Sequence, residues 1–342
     1  MIISLARPRR SLMGAALCLL GAAMSTVVLW SPSGAQDVDL GSEYISRSRD
    51  AALSTDFAGS LEVSWTGPNG VERRQLDVRS EGGVVSIGGT SGIVVQGPAR
   101  FARLDEGWAT MWSESPSRPV QSASTKWKLS VRGGPVIAGR ATREVEAEDP
   151  ETGRVLERRY FDAVTGILLR REQFDESGGR MRSAGFTRIT LPPDQPAGSA
   201  PKVPNRTSLE EPETLQRVPP GYDVPLGVGD GFTLNGAYRD EDGTVQLFYS
   251  DGLFSASVFQ QPGTLNRDDL EPGGVDRVVA GRRVQQYEEP IGTVLVWEGD
   301  GVVYTSVSDA PIEELSQIVG SFDDEPGALH RMMDFLVGPF TW

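Results

Sequence analysis

The 342-residue sequence has one cysteine and one histidine, and its basic residues are outnumbered by acidic ones, 33 to 47. Cys18 lies inside an apolar N-terminal run and follows Leu17, the wrong surroundings for a lipoprotein acylation site. With that run removed, no disulfide, thiol nucleophile or thiolate metal site remains. His330 sits in the C-terminal tail, so a Ser-His-Asp triad or a histidine-rich metal site lacks its raw material. The formal charge of -14 repels phosphate backbones, which argues against nucleic acid and against an anionic lipid surface held by charge alone. A basic partner would be attracted. The glycine clusters at 88–92 and 227–231 lack the lysine and the long following helix of a phosphate loop, and read as turns. The acidic residues could supply a carboxylate pair for glycoside hydrolysis, but nothing singles one out. No enzyme activity, metal or cofactor is expected.

What is present begins with an export signal. Arg7, Arg9 and Arg10 precede an apolar run at 12–30, and Ser33-Gly34-Ala35 offers a small-residue cleavage site. Residues 1–35 are therefore expected to be a signal peptide. The run is also long enough to span a bilayer as an uncleaved anchor.

The rest, with 40 glycines and 23 prolines, alternates apolar and polar residues over short stretches divided by turn signals. A short helix is expected near 42–52, then around ten strands between 57 and 191. Those strands would form an antiparallel sheet curled into a barrel or half-barrel. Residues 192–213 are rich in proline and polar, and read as a stiff linker. A second, smaller α+β domain is expected at 214–322, with strands at 232–238, 245–249, 254–260, 278–287, 293–298 and 302–308. One amphipathic helix at 311–321 would follow, and 323–342 form an acidic, then apolar tail.

Aromatic residues are concentrated on the first domain's strands. Trp65, Trp108, Trp112, Trp127, Tyr160 and Phe174 are either large core side chains or the lining of an apolar groove that takes an acyl chain or apolar peptide. Trp108 and Trp112 share parity and so one face of their strand. In the second domain, Tyr249-Ser-Asp-Gly-Leu-Phe254 leads into Ser257-Val258-Phe259 and reads as a hairpin about an Asp-Gly turn. Tyr249, Phe254 and Val258, with Trp297, are the candidate partner surface.

Several segments together resemble the RseB/MucB family of extracytoplasmic regulators of anti-sigma factors. In the first domain they are Phe57-Ala-Gly-Ser-Leu61, Val136-Ile-Ala-Gly-Arg140, Arg158-Arg-Tyr-Phe-Asp162, Thr165-Gly-Ile-Leu-Leu169, Phe174-Asp175 and Phe186-Thr187. In the second they are Pro219-Pro-Gly-Tyr222, the hairpin, and the end of the chain's helix at 312–322. Order and linker agree across 51–322. The resemblance implies a first domain like the lipoprotein carriers LolA and LolB, a mainly β fold with a curved antiparallel half-barrel. It also implies a smaller α+β domain on a flexible linker. The implied partner is a transmembrane anti-sigma factor, whose outer segment is shielded from proteolysis until a lipid-like envelope signal arrives. A lipid or lipoprotein carrier of the envelope is the other function this half-barrel would serve. Thr165, Gly166, Asp251 and Gly252 match the family segments as turn formers.

Overall fold

In the computed structural model, residues 40–81, 84–88, 100–105, 108–113, 123–191, 207–208, 222–239, 243–289 and 292–322 are described. The expected export signal, most of the proline-rich segment and the C-terminal tail lie outside them. Helix α1 spans Leu40–Ser54. The first ten strands follow: β1 Phe57–Gly67, β2 Gly70–Glu81, β3 Val84–Gly88, β4 Arg100–Asp105, β5 Trp108–Ser113, β6 Lys128–Ile137, β7 Arg140–Glu148, β8 Val155–Asp162, β9 Leu168–Phe174 and β10 Arg180–Thr190. They build one antiparallel sheet in the order β4-β5-β3-β2-β1-β10-β9-β8-β7-β6. The strands at its two ends are not paired with each other among the described residues, so the sheet is open rather than a closed barrel.

The remaining strands are β11 Thr207–Ser208, β12 Gly227–Val228, β13 Phe232–Arg239, β14 Val245–Ser250, β15 Ser255–Pro262, β16 Val275–Val279, β17 Arg282–Glu289, β18 Gly292–Gly299 and β19 Val302–Ser308, before helix α2 at Ile312–Gly320. Their sheet runs β11-β13-β14-β15-β19-β18-β17-β16, with β12 paired to β13. The fold is mainly β, in two antiparallel sheets with few helices.

The local sequence accounts for much of this. In β1, Leu61, Val63 and Trp65 are buried while Glu62 and Thr66 are exposed, the two-residue period of a strand with one wet face. In β14 every residue is buried, as befits a strand covered on both sides. In α2, Leu315, Ile318 and Val319 supply the buried stripe, and Glu313 and Glu314 suit the positive N-terminal end.

Two expectations about elements need correction. The single strand expected at 278–287 is two, β16 and β17, because Ala280 and Gly281 both take positive φ, 49° and 79°, and reverse the chain. Adjacent residues of positive φ recur at Ala138-Gly139, 49° and 79°, and at Asp300-Gly301, 47° and 73°. Adjacent left-handed residues make the turn whose twist matches the flanking strands. Asp-Gly announces such a turn in a sequence, but Ala-Gly does not. The proline-rich stretch also contributes β11, which pairs Thr207 with Arg239 and Ser208 with Tyr238.

The two sheets are packed together. One buried apolar cluster joins Trp127, Val145 and Phe161 of the first half to Leu253, Phe254 and Trp297 of the second. Another joins Leu61, Trp65 and Phe186 to Tyr287, Val294 and Val296. Helix α1 lies against the same side of the first sheet, with Tyr44 stacked on Phe161 at 6.1 Å.

Candidate functional site

The face of the first sheet turned toward the second carries three arginines where apolar side chains would be the simpler choice. Arg159 on β8 lies opposite Arg171 on β9, and Arg171 lies opposite Ala184 on β10. In the next cross-strand row, Glu157 faces Gln173, which faces Arg182. Every one of these polar residues is buried. An arginine cannot shed its charge in a protein, so each needs partners in place of water.

The partners come from both sheets. Glu157 pairs with Arg159 and takes a 2.6 Å hydrogen bond from Arg171 Nε. Arg159 Nη2 donates across the interface to the Leu253 carbonyl at 2.6 Å. Arg171 Nη1 reaches Asp309 Oδ2 at 2.7 Å, and Gln173 Nε2 reaches the Asp309 carbonyl at 2.7 Å. Asp309 in turn accepts from the backbone N–H of Ser255 at 2.7 Å, which ties the seam to β15. Arg182 pairs with Glu288 and donates to Thr293 Oγ1 at 2.9 Å and to the Glu289 carbonyl at 3.1 Å. Burial works against the charge of Arg171, yet Glu157 and Asp309 outweigh it and hold its pKa above the ordinary value. At Arg182 burial prevails over Glu288 and the pKa is lowered.

The seam continues at Trp127, in the bend just before β6. Its indole N–H donates to Asp251 Oδ2 at 2.9 Å, and its ring meets Phe254 edge-on at 5.5 Å. The other oxygen of Asp251 accepts the backbone N–H groups of Leu253 and Phe254, at 2.9 and 2.7 Å. Burial pushes the Asp251 carboxyl up to about 6, against the pull of these donors and of Lys126. Lys126 forms a further cross-sheet bond, to Glu314 on α2 at 2.7 Å.

Several expected site residues therefore change role. Tyr249, Val258 and Trp297 have no exposed surface and Phe254 has 1%, so none forms a partner surface as folded here. Phe254 fills the seam against Trp127. Tyr249 packs on Phe322 at 6.3 Å, Trp297 stacks on Tyr304 at 5.1 Å, and Val258 lies in the same core as Leu315, Ile318 and Val319 of α2. Alternation along β15 signals a buried face but does not reveal that the chain itself covers it.

The groove residues divide as well. Trp65 is core beneath Tyr287, Val294 and Val296, and Trp127 belongs to the seam. Tyr160 is buried on the opposite face of the first sheet from Arg159, with its hydroxyl on Glu172 at 3.1 Å. Burial, then Glu172, push its pKa up to about 12. Phe174 is half-buried under the Arg158 guanidinium at 4.9 Å. Trp108 and Trp112 are on β5, opposite Gly88 and Val84 of β3, and their side chains lie outside the described residues. The six aromatics do not converge on one groove among the described residues.

Sequence reading missed the three inward arginines. A signal existed in the dipeptides Arg158-Arg159 and Arg170-Arg171, since adjacent strand residues point to opposite faces and one of each pair must turn inward. Asp251 was read as a turn former alone, whereas it also bridges the sheets. Asp162 and Thr165 do build a turn. The Asp162 carboxylate takes Thr165 N–H at 2.8 Å and the Arg140 Nε at 2.8 Å.

No protein-family model matches the chain, and no curated protein does. Among solved structures it is similar to MucB in complex with MucA(peri), at 18% identity and a TM-score of 0.47, over 84% of this chain and all of that one. It is also similar to the Pseudomonas aeruginosa MucA/MucB complex, at 17% identity and a TM-score of 0.44, over 81% and 96% of the two chains. A putative outer membrane lipoprotein-sorting protein domain from Vibrio parahaemolyticus matches at 10% identity and a TM-score of 0.21, over 47% of this chain and 94% of that one.

Proposed function

We propose that the protein is an exported, non-enzymatic regulator that binds the extracytoplasmic segment of a membrane-spanning anti-sigma factor. The observation that carries this reading is the in-register recurrence of RseB/MucB-like segments from both halves of the chain. It is supported by where those segments go. Arg159 of the Arg158–Asp162 segment donates to Leu253 of the second-domain hairpin. Segments that resemble one family thus meet at one interface. The MucB structures, with MucA(peri) as the bound partner, agree with the choice of partner. On this reading the packed sheets present a single body to the partner, and occupancy shields the partner from proteolysis. Release follows an envelope signal of lipid character.

Crosslinking of the full chain in its native envelope, followed by denaturing purification and mass spectrometry, tests the proposal. A single-span protein with a cytoplasmic anti-sigma domain is expected as the dominant adduct. Lipoproteins in that place, with no anti-sigma factor, would overturn it in favour of a carrier.

A further inference from the structure

The opposite face of the first sheet also carries arginines, but of a different kind. Toward β6, Arg132 and Arg158 are matched by Glu144 and Glu146 on β7. Toward β1 that matching fails. A cleft of about 310 Å³ opens there, lined by Arg73, Arg170 and Arg180. Among the described residues neither Arg73 nor Arg170 has a carboxylate partner, and Arg180 shares Glu172 at 3.0 Å. One further carboxylate, Glu62, lines the cleft.

The register explains how these groups come together. Ser64 on β1 lies opposite Arg73 on β2 and Ser183 on β10. Gly185 lies opposite Glu62 on β1 and Arg170 on β9. Arg73 and Arg170 are thus three strand spacings apart across the sheet and two residues apart along it, about 16 Å at the backbone, with the two serines on the strands between them. Gly185 has a specific part in this arrangement. A Cβ there would lie 2.9 Å from Arg170 Nε and 3.1 Å from its Cγ, so the absent side chain is what lets the arginine lie across β10.

We propose that this cleft is a binding site for a phosphate group. Planar guanidinium forks grip a tetrahedral oxyanion through paired N–H groups, and serine hydroxyls can donate to its remaining oxygens. The chain's charge of -14 opposes any anion at long range, so recognition here rests on close contact rather than on steering. This site is independent of the partner-binding reading.

Calorimetric titration of the full chain with inorganic phosphate at low ionic strength is the first test. Saturable binding is expected, weakened at least tenfold by Arg170→Gln and by Arg73→Gln. Gly185→Ala, which keeps every charge, should weaken it through displacement of Arg170, and Glu62→Gln should tighten it. Co-sedimentation with phosphatidylcholine vesicles containing phosphatidic acid distinguishes the source of the group. Vesicle binding that is lost in Arg170→Gln assigns the group to a lipid, and phosphate binding without vesicle binding assigns it to a small molecule. No binding of either probe, or binding unchanged by both arginine substitutions, would overturn the proposal.

Discussion

Arg170 and Arg171 are neighbours in sequence and opposites in circumstance. Arg171 points into the interface between the sheets, is 3% exposed, and is held by Glu157 and Asp309. Arg170 points the other way, lies over Gly185 and lines an open cleft. The contrast extends to whole faces, with Arg159, Arg171 and Arg182 inward and Arg73, Arg170 and Arg180 outward. The inward set is fully partnered because a buried guanidinium without counter-charge is costly. The outward set can leave guanidiniums open because water satisfies them. Completed pairing marks a structural role, and its absence marks where a ligand could bind.

The largest effect should come from breaking the inward member. Arg171→Met leaves Glu157 and Asp309 without their shared counter-charge and is expected to destabilise the chain by about 3–5 kcal/mol. Arg170→Met should stay within about 0.5 kcal/mol of the wild type. Urea unfolding of the two variants checks the difference, and equal losses would erase the distinction between faces.

Asp251 makes the interface between the sheets sensitive to pH. Its carboxyl is raised to about 6 from 3.8, so the folded chain binds this proton more tightly than the unfolded chain does. The stability that its protonation contributes is present below about pH 4 and is lost as the pH rises through about 6. By linkage the loss is about 3 kcal/mol. The stability of the wild type relative to Asp251→Asn should therefore fall by that order between pH 4 and 7.5. A constant difference would show that Asp251 is not buried at the seam.

Two buried tryptophans, Trp127 from the expected groove and Trp297 from the expected partner surface, offer a smaller contrast. Trp127→Phe removes the donor to Asp251 and should cost about 1–3 kcal/mol. Trp297 is more deeply buried, but its indole N–H has no hydrogen-bond partner among the described residues. Trp297→Phe gives up ring volume and an unsatisfied donor together, and the two changes oppose each other. Its net effect should be smaller, within about 1 kcal/mol. A larger loss for Trp297→Phe than for Trp127→Phe would reverse the assignment.

Much of the architecture was legible because it follows from short-range pattern. Alternation in β1 and β19, the helical stripe of α2 and the glycines at turns identify elements without knowledge of the whole. The split of 278–287 was hidden because Ala280 in a left-handed conformation has no local signature. The candidate site was less legible for a related reason. Tyr249, Phe254, Val258 and Trp297 are apolar residues on or beside short strands, and sequence cannot tell a surface for a partner protein from one covered by the rest of the chain. The pairing of Arg171 with Asp309 joins residues 138 positions apart, beyond any local pattern.

The inward arginines hold the two sheets as one body, and the coupling of Arg171 to Asp309 is the contact on which that depends. A double-mutant cycle of Arg171→Met, Asp309→Asn and the pair, measured by denaturant unfolding, should give an interaction of about 1–3 kcal/mol. Additivity within about 0.3–0.5 kcal/mol would contradict it.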